Sequence, residues 1–285
     1  RIAIYNNTEN PITTRDMASN REEQLLLHNG LINGDDPHIY MEIRRGMKAP
    51  VDVKLYKHQM TTNEELAQLA FAGFMRDPFT GKDKKTAICD TDYKKSDYLL
   101  NEFYHRIFHY DAYDPKGILF KKEKTEIDEL LFIHYLYKEA KKSLNKVYKA
   151  RIEQAKISLD SCDDDQIADY EKLKAICNVC AFYCMSYYYA FKSEFPAVDA
   201  KKVFMYDKFY SDKDFQLSLI NGFRDEFLTG TILVIKELTV TYPNLNTWVR
   251  DKKSTKVFND KVDEKIQIDM SLEENYKKFV DTYKS

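Results

Sequence analysis

The sequence predicts a mainly α-helical protein, in which a helical bundle follows a small α/β N-terminal part that contains a β-hairpin. Long stretches of the second half repeat apolar residues every three or four positions, which is the period of amphipathic helices. The chain of 285 residues has only 8 glycines and 7 prolines, but 21 tyrosines and 17 phenylalanines. Few turn-forming residues and many aromatic ones favour long helices around an aromatic core.

The first part of the chain changes between short strand-like and helix-like segments. Ile2 to Tyr5 is apolar and predicts a strand, and residues 20–28 predict a helix. His38 to Arg45 and Val51 to Tyr56 alternate apolar and polar residues in the two-residue period of half-buried strands. A glycine and a proline bracket the turn between them, so we expect these two strands to form the hairpin.

Helices dominate after residue 60. Asn63 is expected to cap a helix through Met75, because Asn accepts hydrogen bonds from the unpaired N–H groups at a helix start. Thr125 opens a long helix to about Leu159, whose first half is apolar and whose second half is mostly polar. Further helices are predicted from Ile167 to Phe195, from Ser211 or Asp212 to Leu238, and from Ser271 to Tyr283. This change of pattern divides the chain into a mixed α/β lead-in over 1–115 and a helical bundle over 116–285.

The composition limits the classes of function. The formal net charge is −2 at pH 7, which gives no global attraction to nucleic acid, so binding of DNA or RNA needs a local basic patch. The longest apolar run, Ile176 to Phe191, is too short and too polar to span a bilayer. Five cysteines, an odd number, fit a reducing compartment better than a disulfide framework. We therefore expect a cytoplasmic protein without a membrane partner.

Two groups of residues have spacings found in metal sites. Cys177, Cys180 and Cys184 have the spacing of a thiolate cluster, but on a helix with apolar neighbours the same spacing is typical of core packing. His105 and His109 share one face of a predicted helix and could ligate one metal ion, but a helix face of this kind is more often a partly buried packing surface. We favour the packing interpretation for both groups and expect no metal ion and no cofactor.

The hypothesis that the protein is an enzyme rests on Glu42. Together with Arg44 it resembles the end of a nuclease motif in which Glu binds Mg²⁺ and Lys polarises water. Arg is a poor replacement for Lys in that role, and the two side chains on one face of a strand would also form a simple ion pair. A metal-dependent nuclease site and a simple ion pair both remain open as explanations of Glu42 and Arg44. We assign no catalytic residue.

A basic surface is the main candidate for a binding site. Its members lie on the proposed hairpin: Arg44, Arg45, Lys48, Lys54 and Lys57. Cations bind phosphates, and the tyrosines of the following lysine-rich segment could stack on bases. The alternative is an edge strand whose charges protect it against aggregation. A second basic stretch, Lys138 to Lys156, has glutamates at 139 and 153 and is interpreted as the exposed face of a helix.

A polar segment near the start of the chain connects the first strand to the first helix. Its notable side chains are Asn7, Thr8, Asn10, Arg15, Asp16, Asn20 and Gln24. Asn, Thr and Asp bond to nearby backbone and favour turns and caps, and a capped turn with an Arg–Asp pair explains each of them. The functional alternative is that the amides contact a base or a phosphate.

Two more motifs follow this segment in order. The first runs from Tyr40 through Glu42 to Gly46, and the second is a Thr-Asn-x-Glu-Leu-Ala-Gln run that includes Asn63 and Gln68. The three motifs together resemble the AIPR family, the abortive-infection phage-resistance proteins of bacteria, although Glu9 stands where that family usually has Gln. The resemblance covers about the first third of the chain.

The resemblance implies a role in anti-phage defence by abortive infection. It also implies that a larger N-terminal α/β portion precedes this segment, and since the chain starts at Arg1 we expect a fragment. We expect recognition or assembly linked to nucleic acid, with DNA or RNA and a further copy of the chain as partners. The alternatives are a metal-dependent nuclease and a helical scaffold for protein interactions, and the scaffold predicts an exposed apolar patch.

Overall fold

The computed structural model describes residues 40–42, 60–83, 124–157, 170, 174, 176, 180–241, 248 and 251–285. Most of these residues are helical, so the predicted mainly α class is confirmed. The strands are β1 (Tyr40–Glu42) and β2 (Met60–Thr62). The α-helices are α1 (Asn63–Phe74), α2 (Pro78–Asp83), α3 (Lys124–Ile157), α4 (Ala181–Glu194), α5 (Pro196–Asp199), α6 (Tyr206–Ser211), α7 (Lys213–Phe223), α8 (Thr229–Thr241), α9 (Lys252–Ile268) and α10 (Met270–Tyr283). A π-helical segment, Arg224–Leu228, joins α7 to α8.

The chain divides into two compact units. The described residues of the first unit are 40–42, 60–71, 81–83 and 124–131. The second unit holds residues 72–80 and the described residues from Phe132 to Ser285. No helix in the described part of the chain is long and apolar enough to cross a membrane.

Strand β1 pairs with β2 in parallel, and Glu42 stands opposite Thr62 in the register. This strand falls within the predicted strand His38 to Arg45. Its proposed hairpin partner, Val51 to Tyr56, lies outside the described residues, so the hairpin stays a prediction. The strand expected at residues 2–5 and the helix expected at 20–28 also lie outside the described residues.

Helix α1 is capped by Thr62, and Glu65 in its first turn is bonded to the preceding residue, Thr61. The Thr62 Oγ1 accepts a hydrogen bond from the backbone N–H of Glu65 at 3.1 Å, and the Thr61 hydroxyl donates to the Glu65 carboxylate at 3.1 Å. The expected cap, Asn63, is instead the first helical residue, and its side chain accepts from the N–H of Glu64. Thr62 is favoured because it ends a strand, and a capping residue needs extended backbone.

Helix α3 confirms the predicted division of the long helix into two halves. Its first half buries a continuous series of side chains, including Leu130, Ile133 and Leu136 at 0% exposure. In its second half, Leu144 is buried, while Lys146, Lys149 and most later positions are exposed. The first half therefore anchors the helix, and the second half presents its polar side chains to solvent.

The core of the second unit is built from aromatic rings, as the composition predicts. Phe227, in the π-helical segment, is fully buried and contacts Tyr188 and Phe191 of α4, with ring centroids 5.0 and 5.8 Å away. On another side it meets Phe279 of α10 at 5.0 Å, edge to face. This single ring connects three helices, and edge-to-face pairs of this kind add to the stabilisation from burial.

Gly222 and Gly230 do not interrupt the helical run from α7 through the π-helical segment to α8. They serve instead to admit tyrosine rings from neighbouring helices. A Cβ at Gly230 would lie 2.6 Å from the Tyr187 hydroxyl oxygen, and one at Gly222 would lie 3.0 Å from the Tyr283 ring. Tyr187 is only 4% exposed, so its ring has little room to move away.

We expect Gly230→Ala to lower the free energy of unfolding by about 1–3 kcal/mol, because overpacking against Tyr187 exceeds the gain in helix propensity. Urea unfolding followed by circular dichroism measures the change. Gly222→Ala is the matched control and should lose less, since its closest contact is longer. A gain of about 1 kcal/mol in Gly230→Ala, the value of propensity alone, would contradict the packing argument.

Candidate functional site

The structure describes four of the named residues of the family motifs, and they belong to a strand, to the start of a helix or to a contact between helices. Tyr40 and Glu42 lie in β1, and Asn63 is 3% exposed at the start of α1. The Gln68 side-chain amide donates to the backbone carbonyl of Lys82 in the last turn of α2, at 3.1 Å. The second motif therefore caps α1 and ties it to α2 inside the first unit.

Most of the predicted site residues lie outside the described residues, and their roles stay predictions. The motif residues concerned are Asn7, Thr8, Asn10, Arg15, Asp16, Asn20, Gln24 and Gly46. The basic residues concerned are Arg44, Arg45, Lys48, Lys54 and Lys57.

The cysteines that the structure describes fit the packing interpretation. Cys180 and Cys184 are present as thiols and not as a disulfide, and both are 0% exposed at the start of α4. Cys177, His105 and His109 lie outside the described residues. Within the described part of the chain, no group of three or more His, Cys, Asp or Glu side chains could hold a metal ion.

A buried ion pair near the end of the chain is the most unusual polar feature of the second unit. The Lys284 ammonium lies 3.0 Å from the Asp199 carboxylate and also donates to the Tyr188 hydroxyl at 3.0 Å. The Tyr276 hydroxyl donates to the same carboxylate oxygen at 3.0 Å. The Lys284 and Asp199 side chains are 0% and 3% exposed.

This buried cluster, formed by Lys284, Asp199, Tyr188 and Tyr276, satisfies the charges that it takes out of water. The Phe204 ring adds a cation–π contact, with its centroid 4.5 Å from the ammonium. A buried ion pair is tolerated only when hydrogen bonds of this kind complete it. Because the cluster is closed to solvent, its role is to fix the end of α10 to α4 and α5 and not to meet a substrate.

The backbone repeats the same connection beside the buried cluster. Val203 and Ser285 exchange two hydrogen bonds, at 3.1 and 2.9 Å, around an antiparallel bridge between Phe204 and Lys284. Sequence reasoning missed this site, because Asp199 and Lys284 are far apart in the chain. The one available signal is a lysine directly after the apolar face of a predicted helix, which is too common to identify a buried pair.

The second half of α3 carries a row of cations, which we call the lysine stripe. Lys138 and Lys141 are half-buried, and Lys142, Lys146 and Lys149 are exposed. Helical spacing turns most of the stripe away from the buried positions Ala140 and Leu144. The Lys142 ammonium pairs with the Glu139 carboxylate, and the Lys149 ammonium lies 3.9 Å from the Glu153 carboxylate.

Two cations of the lysine stripe are uncompensated. Lys141 and Lys146 have no carboxylate partner in the described part of the chain. The sequence showed this basic stretch, and we interpreted it as an exposed face. The structure shows that most of this face is exposed from Lys142 onward. The spacing of the lysines along one face makes the stripe the candidate binding surface of the second unit.

We expect Lys284→Met to lower the free energy of unfolding by about 3–5 kcal/mol, because it leaves the Asp199 carboxylate buried without its cation. Adding Asp199→Asn should recover part of the loss, since the neutral amide needs no counter-ion. Urea unfolding followed by the fluorescence of the buried Trp248 measures both.

The matched control is Lys202→Met, which breaks the more exposed Lys202–Asp281 pair. We expect a much smaller loss there, because exposed ion pairs contribute little. Equal losses in Lys284→Met and Lys202→Met would show that the burial of Lys284 has no energetic consequence.

The chain was compared with models of known protein families, with curated proteins and with solved structures. None of the three comparisons found a match.

Proposed function

We propose that this protein acts in bacterial anti-phage defence of the AIPR kind, as a nucleic-acid-associated module for recognition or assembly and not as a catalyst. The defence role rests on the three motifs in the first third of the sequence. The association with nucleic acid rests on one structural observation, the partly exposed lysine stripe of α3, and on the basic residues predicted for the hairpin.

The lysine stripe has the properties that binding to a phosphate backbone requires. From Lys138 to Lys149 it extends about 16 Å along the helix, at 1.5 Å per residue, which allows contact with several phosphates of one strand. The buried first half of α3 holds the stripe in place, so little conformational order is lost on binding. Binding through lysine and phosphate carries no sequence information, and the proposal is therefore one of non-specific affinity.

A nearly neutral chain makes such a local stripe necessary. The formal net charge of −2 gives no overall attraction to a polyanion, so association depends on cations that are grouped on one surface. Lys141 and Lys146 are the strongest contributors, because no carboxylate in the described part of the chain competes with a phosphate for them.

The first experiment measures the affinity of the chain for single- and double-stranded DNA and RNA across a salt series. The variant carries Lys141→Ala, Lys146→Ala and Lys149→Ala. Each lost phosphate contact on duplex DNA lowers the slope of log affinity against log salt by about 0.9, so three contacts account for a change of about 2.7. We expect weaker binding and a shallower slope in this variant.

The matched control removes the same charge elsewhere, through Lys252→Ala, Lys253→Ala and Lys256→Ala on the exposed first turns of α9. Equal losses in both triple variants would mean that only total charge matters and would contradict a site on α3. A parallel variant with Arg44, Arg45 and Lys48 changed to Ala tests the predicted hairpin. Loss in that variant alone would move the interface to the hairpin and leave nucleic-acid binding intact.

The defence role needs a separate test in a bacterial host challenged with phage. Phage should form fewer plaques on a strain that produces the protein than on one that does not. Infected cells of that strain should stop growing before new phage is released. The lysine-stripe variant should lose this protection, whereas the α9 control should keep it. Unchanged plaque numbers with phages of several types would count against the defence proposal, and the binding experiment would still stand on its own.

A further inference from the structure

An arginine at the start of the π-helical segment lies beside the lysine stripe. The Arg224 Nη1 donates hydrogen bonds to the Ser143 hydroxyl at 2.8 Å and to the Asn221 amide oxygen at 3.0 Å. Ser143 belongs to α3 and precedes Lys146 by three positions, and residues three apart are neighbours on the surface of a helix. Arg224 therefore extends the cationic surface of α3 onto the π-helical segment.

The hydrogen bonds to Ser143 and Asn221 fix the orientation of the Arg224 guanidinium. Both use Nη1, which points towards α3 and the end of α7. The remaining edge, formed by Nε and Nη2, donates to the two carboxylate oxygens of Asp225 at 2.7 and 3.0 Å. The side chain of Arg224 is 18% exposed and that of Asp225 is 65% exposed, so this edge faces the surface.

The pair of Arg224 and Asp225 has the geometry of an arginine that binds a phosphate. A guanidinium presents two parallel N–H groups, and these fit two oxygens of a carboxylate or two oxygens of a phosphate. Asp225 directly follows Arg224 in the chain, so no other element is needed to bring its carboxylate to this edge. It is the anion that a phosphate would have to displace there.

Displacement of Asp225 costs little. Exposed ion pairs are weak, because water and salt already screen both charges. The released carboxylate enters water, to which most of its side chain is already exposed. The guanidinium keeps its hydrogen bonds to Ser143 and Asn221, so it does not have to be ordered again for the incoming anion.

A neighbouring cation favours a phosphate that belongs to a strand of nucleic acid. Lys146 is exposed and has no carboxylate partner in the part of the chain that the structure describes. Since Ser143 lies next to both Lys146 and Arg224, two phosphates of one strand could bind the two cations together. The π-helical segment supports a functional site here, because such segments are rare within helices and frequent at functional sites.

We propose that Asp225 is an internal competitor for the exposed edge of Arg224, and that a backbone phosphate of DNA or RNA displaces it when the chain binds through the lysine stripe. In the bound state, Nη1 still holds Ser143 and Asn221, while Nε and Nη2 donate to the phosphate. This inference rests on the proposed function and deepens it. It adds Arg224 to the binding surface and makes Asp225 a limit on the affinity of that surface.

The test measures the affinity for duplex DNA across a salt series in Asp225→Ala, in Arg224→Gln and in the variant that combines them. Asp225→Ala should raise the affinity at low salt by about two- to fivefold, which corresponds to the strength of an exposed ion pair. Arg224→Gln should lower the affinity and reduce the slope of log affinity against log salt by about 0.9, the value of one phosphate contact. Most of the gain from Asp225→Ala should be absent in the Arg224→Gln background, because no guanidinium is left to release.

The matched control is Glu264→Ala, which removes a carboxylate from another surface ion pair, the one with Lys261 on α9. It changes the net charge by the same amount as Asp225→Ala, and it should raise the affinity less. Arg224→Lys keeps the positive charge but lacks the planar fork, so it should bind more weakly than the wild type. Circular dichroism checks the fold of each variant, and Arg224→Lys takes the place of Arg224→Gln if the latter unfolds.

Two results would overturn this inference alone. Equal gains in Asp225→Ala and Glu264→Ala would show that only the total charge matters. An undiminished gain from Asp225→Ala in the Arg224→Gln background would show that Asp225 does not act through Arg224. With either result, a loss of affinity in the lysine-stripe variant would still support the proposed function. A wild type that binds no nucleic acid at low salt would reject both.

Discussion

The buried charge of Lys284 constrains the second unit more than any other single group. Removing an ammonium group from water is costly, so Asp199 and the Tyr188 hydroxyl must come within hydrogen-bond distance of it. These partners belong to α5 and α4, and the cluster therefore fixes the end of α10 against both helices.

The aromatic core and the buried cluster depend on each other. Phe227 connects α4 to α10 through Tyr188 and Phe279, and Tyr188 also accepts the hydrogen bond from Lys284. The ring thus packs in the apolar core, while its hydroxyl completes the polar cluster at the edge of that core. Substitutions in the aromatic core and in the buried cluster should therefore have non-additive effects on the free energy of unfolding, as is expected of residues that share partners.

The sequence predicted the parts of the fold that depend on local patterns. The long α3, with one buried and one exposed half, follows from hydrophobic periodicity alone. The cap of α1 was placed one residue late, because Thr62 and Asn63 both suit that role and only the strand β2 decides between them. A helix from residue 211 or 212 to Leu238 was predicted, but the reason for a glycine at position 230 was not, since the fit between Gly230 and the Tyr187 hydroxyl is a contact between distant segments.

Prediction from sequence was limited in the same way for the candidate surface and for the buried ion pair. The lysine stripe was visible as a basic stretch, but its exposure on a fixed helix required the packing of Ala140 and Leu144. A pair such as Asp199 and Lys284 is equally invisible, since every exposed Lys–Asp pair has the same composition.

The near-zero net charge of this chain makes any binding to a polyanion depend on local groups of cations. On the second half of α3, Lys141 and Lys146 have no carboxylate partner in the described part of the chain, so a phosphate would not have to displace an ion pair there. On α9, Lys265 is already paired with the Glu237 carboxylate, and a phosphate would have to compete with it. An interaction of the lysine stripe with a polyanion should therefore weaken steadily as salt is added, because it depends on charge alone.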